Sequence, residues 1–109
     1  MQYIFLIYED ESDERRDAPD LIAEYTSLSD ELKRRDAHIF GAALEPTSTA
    51  TSVRERDGKR MIIDGPFAET KEALAGFMIL DCENLDEAIE LAARMPTARI
   101  GTIEVRPVA

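Results

Sequence analysis

The nine residues at positions 64–72, DGPFAETKE, are the stretch of this 109-residue chain most suited to chemistry. They combine a turn dipeptide, a proline, an aromatic ring and several charged or polar side chains. Asp64 with Glu69, Lys71 or Glu72 could frame a pocket in which a carboxylate acts as a general acid or base. The structural alternative is that Asp64 accepts backbone N–H bonds from its own turn, as aspartates in turns commonly do.

The proline predicts the conformation of this motif turn (residues 64–72). Pro66 disfavours the α region for the residue before it, and strand pairing stops there because proline has no N–H. We therefore expect Asp64 to be exposed at a strand end, Phe67 to be a packing anchor, and Thr70 to cap a short turn. The predicted ligand-binding residues are Gly65, Pro66, Phe67, Glu69, Thr70 and Lys71.

His38 is the second candidate catalytic residue, beside Asp64. It is the only histidine, which excludes a multi-histidine metal site within one chain. Its ordinary pKa of about 6.5 suits acid–base work, although its place at the start of a predicted strand also fits a half-exposed structural role. Whether His38 can reach Asp64 depends on the fold.

No cofactor and no metal are expected. P-loop, dinucleotide-binding and CxxC motifs are all absent from the sequence. The acidic loop at residues 9–14 lacks the glycine that an EF-hand loop needs at its turn, and Arg15 and Arg16 follow it directly. Cys82 lies in an apolar strand pattern, which favours a buried and unreactive thiol.

The charge of the chain narrows the choice of partners. It has 13 basic and 23 acidic residues and a formal net charge of −10, which argues against nucleic acid and anionic membranes because both need a basic surface. No apolar run approaches the roughly 20 residues of a membrane span. The N-terminus lacks the features of a signal peptide, so a cytoplasmic protein is expected. The length predicts one domain over residues 1–109.

The apolar periodicity predicts the elements that position these residues. Strands are predicted at 2–8, 38–44, 74–82 and 100–108. A hairpin is predicted at 49–63 about Asp57-Gly58, with Glu55 opposite Arg60. One helix is predicted from Pro19 to 34–36, with an apolar stripe of Leu21, Tyr25, Leu28 and Leu32. A second helix is opened by Asn84 and has an apolar face of Leu85, Ala88, Ile89 and Ala92. This order predicts an α+β, ferredoxin-like sheet with an inserted hairpin and with both helices on one face.

The other face of this sheet would need a cover. The strands at 2–8 and 77–80 are apolar on both faces, and an exposed patch of that size is unusual for a monomer. We expect a homodimer in which sheet faces pair about a twofold axis. The competing explanation is that the hairpin folds back over its own sheet.

Four segments together carry a family resemblance. DGPFAETKE before a GF-containing strand, with YIFLIYED, LDEAIELAARMP and GTIEVRPV, resembles the YCII-related proteins of the DGPF-domain type over nearly the whole chain. The resemblance implies a dimeric α/β-barrel fold of the ferredoxin-like class. It leaves the activity open, since members are similar to proposed small enzymes and some occur beside sigma factors of the extracytoplasmic-function class. The paired His and Asp proposed for the YciI branch cannot be carried over, because no His lies in the first helix or beside Asp64.

Two functional hypotheses follow. The first is a small dimeric ligand-binding protein or enzyme whose pocket lies between sheet face and hairpin, near the motif turn, and takes a small-molecule ligand. The second is a regulatory or accessory protein-interaction module in which the acidic loop Glu9 to Glu14 steers a basic partner. The sequence does not decide whether the protein is an enzyme.

Overall fold

The chain contains six strands and two α-helices, and the computed structural model describes all residues from 1 to 109. In chain order the elements are β1 (Gln2–Glu9), α1 (Pro19–Arg34), β2 (His38–Ala43), β3 (Thr51–Arg56), β4 (Lys59–Asp64), β5 (Ala73–Asp81), α2 (Leu85–Arg94) and β6 (Thr102–Pro107). Short 3₁₀ helices occupy Glu14–Asp17, Thr47–Thr49 and Pro96–Arg99.

Four strands form one antiparallel sheet in the order β2-β5-β1-β6. Because β5 separates β2 from β1, the first β-α-β unit is split, as in ferredoxin-like folds. This confirms the predicted α+β, ferredoxin-like class. The hydrophobic core lies between the sheet and the helices and is built from Tyr3, Phe5, Ile7, Leu28, Leu32, Ala37, Met78, Leu80, Cys82, Ala88, Leu91, Ala92 and Met95.

Strand β1 runs through the middle of the sheet and shows why the fold has two different faces. Its residues alternate between buried and half-buried side chains, as the period of two in a strand requires. Phe5 is fully buried toward the helices, whereas Ile4 and Leu6 on the other face are only half-buried. The apolar character of both faces therefore matches a sheet that its own helices cover on one side.

Helix α1 ends in a way that sets the position of β2. Pro19 opens the helix, where its missing N–H costs nothing. At the other end Asp36 adopts a left-handed conformation with φ of 55°, and the Ala37 N–H donates to the Leu32 carbonyl at 2.9 Å. This is the Schellman arrangement, and it turns the chain so that His38 starts β2 directly.

Helix α2 corrects one sequence prediction. The Asn84 side chain accepts the Glu87 N–H at 2.9 Å, as the predicted cap requires. The buried face, however, is formed by Ala88, Leu91 and Ala92, while Leu85 and Ile89 are exposed. The predicted face was displaced by about one residue around the helix, because the stripe continues through Met95, which the prediction left out. No helix has the length and apolar character needed to cross a membrane.

Strands β3 and β4 form a separate two-stranded sheet, which we call the arm (Thr51–Asp64). Glu55 pairs with Arg60 as predicted. Asp57 and Gly58 have φ of 53° and 74°, which are the two positive values of a type I′ turn. The arm pairs with no strand of the main sheet and does not fold back over it, so that competing explanation for the uncovered face is wrong.

Candidate functional site

A cavity of about 500 Å³ lies between α1 and the helix-covered face of the sheet. Apolar side chains such as Ile7, Leu21 and Met78 form part of its lining. Gly41 and Gly76, from the neighbouring strands β2 and β5, add backbone to the wall. This volume is within the range typical of small-molecule sites, which are mostly apolar with a few polar groups.

Close approach of strands explains why one wall residue is glycine. A Cβ atom built on Gly76 would lie 2.9 Å from the Ala42 carbonyl oxygen, closer than real Cβ contacts permit. The β2–β5 pair can therefore keep its register only with a residue that has no side chain at position 76. As a result, this stretch of the wall presents backbone where a side chain would otherwise project.

One end of the cavity holds a buried chain of hydrogen bonds. The Tyr25 hydroxyl donates to Thr97 Oγ1 at 2.7 Å, and Thr97 Oγ1 donates to Glu9 Oε1 at 3.2 Å. Glu9 Oε2 accepts from Arg16 Nε at 2.9 Å. Burial raises the pKa of the Tyr25 hydroxyl against the opposing effect of its bond to Thr97, and the bond to Glu9 raises the pKa of Arg16.

The sequence pattern places Glu9 only in an acidic loop and does not reveal this series of hydrogen bonds. In the structure Glu9 is the last residue of β1 and shares the buried face with Tyr3, Phe5 and Ile7. Extending the alternation of β1 by one more step would have indicated that Glu9 points toward the helices. Burial of a carboxylate is costly unless it is paired, and here Arg16 supplies the pairing charge.

His38 lines the same cavity, together with Ser29, Asp30 and Lys33 of α1. Its side chain is half-buried. The imidazole lies beside Gly41 of the same strand, since a Cβ atom built on Gly41 would be 3.5 Å from His38 Nε2. Neither His38 nor Lys33 makes a side-chain hydrogen bond or ion pair within the chain, so both remain available to a bound molecule.

The motif turn lies outside this cavity. None of residues 64–71 contributes to the lining, and Asp64 makes no hydrogen bond to His38. The structure of the single chain therefore does not bring the two candidate catalytic residues together at the cavity. Phe67 is 78% exposed, so the expectation that it anchors the turn by packing is wrong within one chain.

Local hydrogen bonds hold the motif turn at the base of the arm. Gly65 has φ of 106°, a conformation open to glycine because it lacks a Cβ. Its N–H donates to the Ala50 carbonyl at 2.6 Å, and its carbonyl accepts from Ser52 Oγ at 2.8 Å. The Thr70 hydroxyl donates to the Glu72 carbonyl rather than accepting an N–H as a helix cap would.

The acidic loop after β1 is tied down by its own neighbours. Glu11 accepts the Thr47 N–H at 2.9 Å. Hydrogen bonds from Ser12 and, less strongly, the charge of Lys71 lower the pKa of Asp10. Hydrogen bonds from Arg15 lower the pKa of Asp13 to about 2. Most of these carboxylates are therefore already engaged within the chain.

Comparisons with known proteins agree with this description. A family model described as the YCII-related domain matches residues 1–109. An uncharacterised protein of Rhizobium meliloti (strain 1021) is 47% identical over 70 residues, which is 62% of this chain and 56% of the length of that relative.

A solved structure with a similar fold is 5-chloro-2-hydroxyhydroquinone dehydrochlorinase from Burkholderia phenoliruptrix AC1100, in complex with 2,5-dihydroxybenzoquinone. It has a TM-score of 0.59 and 14% sequence identity, and the match covers 100% of this chain and 94% of that one. At this level of identity the likeness extends to the fold alone. No three His, Cys, Asp or Glu side chains cluster as metal ligands would.

Proposed function

The chain belongs to the YCII-related family, and from this premise we propose that it binds a small organic molecule in the cavity beneath α1. A single observation carries the proposal: a largely apolar cavity of about 500 Å³ has unpaired polar side chains along it. Such a combination of apolar walls with few polar groups is typical of ligand sites. A cyclic molecule with polar substituents at opposite edges would fit this distribution.

The proposed roles follow from what each group can donate. Lys33 and His38 are free of partners in the chain, so they would contact acidic or hydroxyl substituents of the ligand. If the ligand is a substrate, His38 is the acid–base candidate, because its imidazole can both donate and accept a proton. At the other end, the Glu9–Arg16 pair would orient a hydrogen-bonding substituent without leaving either charge unpaired.

Two serines of α1 offer a matched test of the cavity. Ser29 lines the cavity and Ser27 does not, although both belong to the same helix. Binding of 2,5-dihydroxybenzoquinone and related hydroxylated cyclic compounds would be measured by isothermal titration calorimetry. We expect Ser29→Phe to weaken binding at least tenfold and Ser27→Phe to leave it unchanged. Equal loss in both variants, or none in either, would rule out the cavity as the binding site.

The motif turn is kept in the proposal as a second contributor, through Asp64, Gly65, Pro66, Phe67, Glu69, Thr70 and Lys71. Its support is the exposure of Asp64 and Phe67, which leaves both able to meet a ligand or a second chain. Asp64→Asn tests this directly in the same calorimetric experiment. An unchanged affinity would remove Asp64 from the site, whereas loss of affinity would link the turn to the cavity.

The alternative function is a regulatory or accessory interaction module, including a link to extracytoplasmic-function sigma factors. It has less support, because the carboxylates of the loop at residues 9–14 are largely bonded within the chain. Pull-down from lysate at low and high salt tests it, since steering by charge weakens as salt rises. Failure to retain any partner at low salt would count against this alternative.

We also propose that the protein acts as a homodimer through the sheet face that its helices leave uncovered, with the cytoplasm as its location. The rings of Phe40 and Phe77 contact each other on this face in a tilted arrangement, with centroids 5.8 Å apart and an interplanar angle of 44°. Ile4 and Ile79 pair beside them across β1 and β5. A specific interface typically buries about 800 Å² per partner, and a four-stranded face is the natural source of that area.

A further inference from the structure

The arm projects from the body of the protein without a surface to rest on. Its strands pair with each other and with no strand of the main sheet. The molecule measures 47 × 34 × 19 Å and has a Cα radius of gyration of 15.7 Å, whereas a compact domain of this length has about 13 Å. An isolated two-stranded hairpin is marginally stable in water at best. The arm is therefore expected to gain order from a surface outside its own chain.

The arm exposes apolar side chains where such a surface would contact it. Val53 and Ile62 are directly opposed on one face of the hairpin, and they are 61% and 64% exposed. Phe67 follows at the base of the arm and is the most exposed of the large apolar side chains. Val53 and Ile62 therefore form an exposed apolar pair on one face of the arm, between the pairs Thr51–Asp64 and Glu55–Arg60. Phe67 adds a separate exposed apolar side chain at the base.

The charge of the arm distinguishes between possible occupants. Its tip, residues 54–60, carries four basic and two acidic side chains. The tip therefore has a net charge of +2, which leaves −12 for the remainder of a chain whose total is −10. A second copy of this acidic chain complements the tip, since opposite potentials favour association. A nucleic acid would be repelled by the rest of the molecule.

The area available agrees with this occupant. Four strands about 4.8 Å apart and about six residues long present roughly 400 Å² in projection. The arm adds roughly 200 Å² on the same basis. Because the accessible surface of side chains exceeds its projection, the sum approaches the roughly 800 Å² per partner of a stable interface.

We propose that the arm crosses to a second copy of the chain and packs Val53, Ile62 and Phe67 against it, so that the motif turn becomes part of the dimer interface. A twofold axis applies the same contact twice, because each copy offers both an arm and an uncovered sheet face. This inference rests on the homodimer proposed above. The inference goes further in two ways. It names the arm as an element that contacts the second copy, and it gives a role to the motif turn, which does not line the cavity.

Sedimentation equilibrium with a matched pair of variants tests the arm. Ile62→Asp places a charge on the arm, and Ile89→Asp places the same charge on α2, where the isoleucine is 53% exposed. Wild type and Ile89→Asp should sediment at twice the 12.2 kDa chain mass. Ile62→Asp should raise the dimer dissociation constant at least a hundredfold while keeping its circular dichroism spectrum.

Two sedimentation results would overturn the inference, and they can be told apart. If Ile62→Asp dimerises with the wild-type constant, the arm lies outside the interface and the sheet-face homodimer stands without it. If the wild type is monomeric at tens of micromolar, both proposals fail. Should Ile62→Asp fail to fold, hydrogen exchange of the wild type decides, because amides in residues 53–62 must gain protection as the protein concentration rises. Protection that does not depend on concentration would refute the arm contact.

Discussion

Replacing Thr97 by valine tests the buried hydrogen-bond chain that ties α1 to the end of β1. Thr97 is fully buried, and valine matches its shape while removing the hydroxyl. The variant loses the bond from Tyr25 at 2.7 Å and the bond to Glu9 at 3.2 Å. A bond to a charged group contributes about 2 kcal/mol and one between neutral groups about 1 kcal/mol. The expected loss of unfolding free energy is therefore about 3 kcal/mol.

Urea unfolding followed by circular dichroism measures this loss, with all variants at one protein concentration because self-association adds to apparent stability. In thermal unfolding the same change corresponds to a fall in Tm of about 15 °C for a domain of this size. Tyr25→Phe keeps the Thr97–Glu9 bond and should cost about 1 kcal/mol. Thr26→Val, at an exposed position of α1, is the control and should cost about 0.5 kcal/mol or less.

The double variant identifies the source of the effect. If Tyr25, Thr97 and Glu9 act as one chain, Tyr25→Phe together with Thr97→Val should cost about 1 kcal/mol less than the sum of the two single changes, since both remove the same bond. A cost below about 0.5 kcal/mol for Thr97→Val alone would refute the reasoning, because it would mean that Glu9 recovers its lost donor from water.

Three further predictions concern a carboxyl group, a backbone conformation and a thiol. The pKa of Asp13 lies near 2 rather than its ordinary 3.8. The ionised carboxylate therefore stabilises the fold above the unfolded-state pKa, and this stabilisation is lost as the pH falls toward 2. Asp13→Asn should therefore make the unfolding free energy fall less steeply with decreasing pH, and an unchanged pH dependence would contradict this. Gly65→Ala should lower the free energy of unfolding in urea by about 1–2 kcal/mol, because a φ of 106° strains any residue with a Cβ. An unchanged free energy of unfolding would mean that the turn adopts another backbone conformation without cost. Cys82 is 2% exposed and burial raises the pKa of its thiol, so a disulfide reagent should label it only at the rate of unfolding, and rapid labelling of the native protein would disprove its burial.

Local patterns in the sequence were sufficient for most of the elements. The Asp57-Gly58 pair identified the hairpin and its register, because a type I′ turn needs two residues with positive φ. The same kind of local reasoning located the Asn84 cap and the stripe of α1. The buried face of α2 was misplaced because helices are amphipathic over a broad arc, and which part of that arc is covered depends on the neighbouring strand and helix.

The candidate site was predicted only in fragments. His38, a catalytic candidate from the sequence, lies in the lining of the cavity, while Asp64 was selected from a motif whose surroundings the sequence does not specify. Glu9, Arg16 and Thr97 were overlooked because they are separated by up to 88 positions. No local pattern relates a strand end to a 3₁₀ turn that far away along the chain.

The sequence by itself determined the α+β class, the order of the elements, the arm and the two-sided apolar character of the central strands, because each depends on interactions within a few residues. Only the tertiary structure decided that the cavity lies beneath α1 rather than at the motif turn, that Glu9 is buried against Arg16, and that the arm stands clear of its own sheet. These features arise where segments distant in sequence pack together. Their geometry is set by the balance of apolar burial, pairing of charge and close backbone approach over the whole chain.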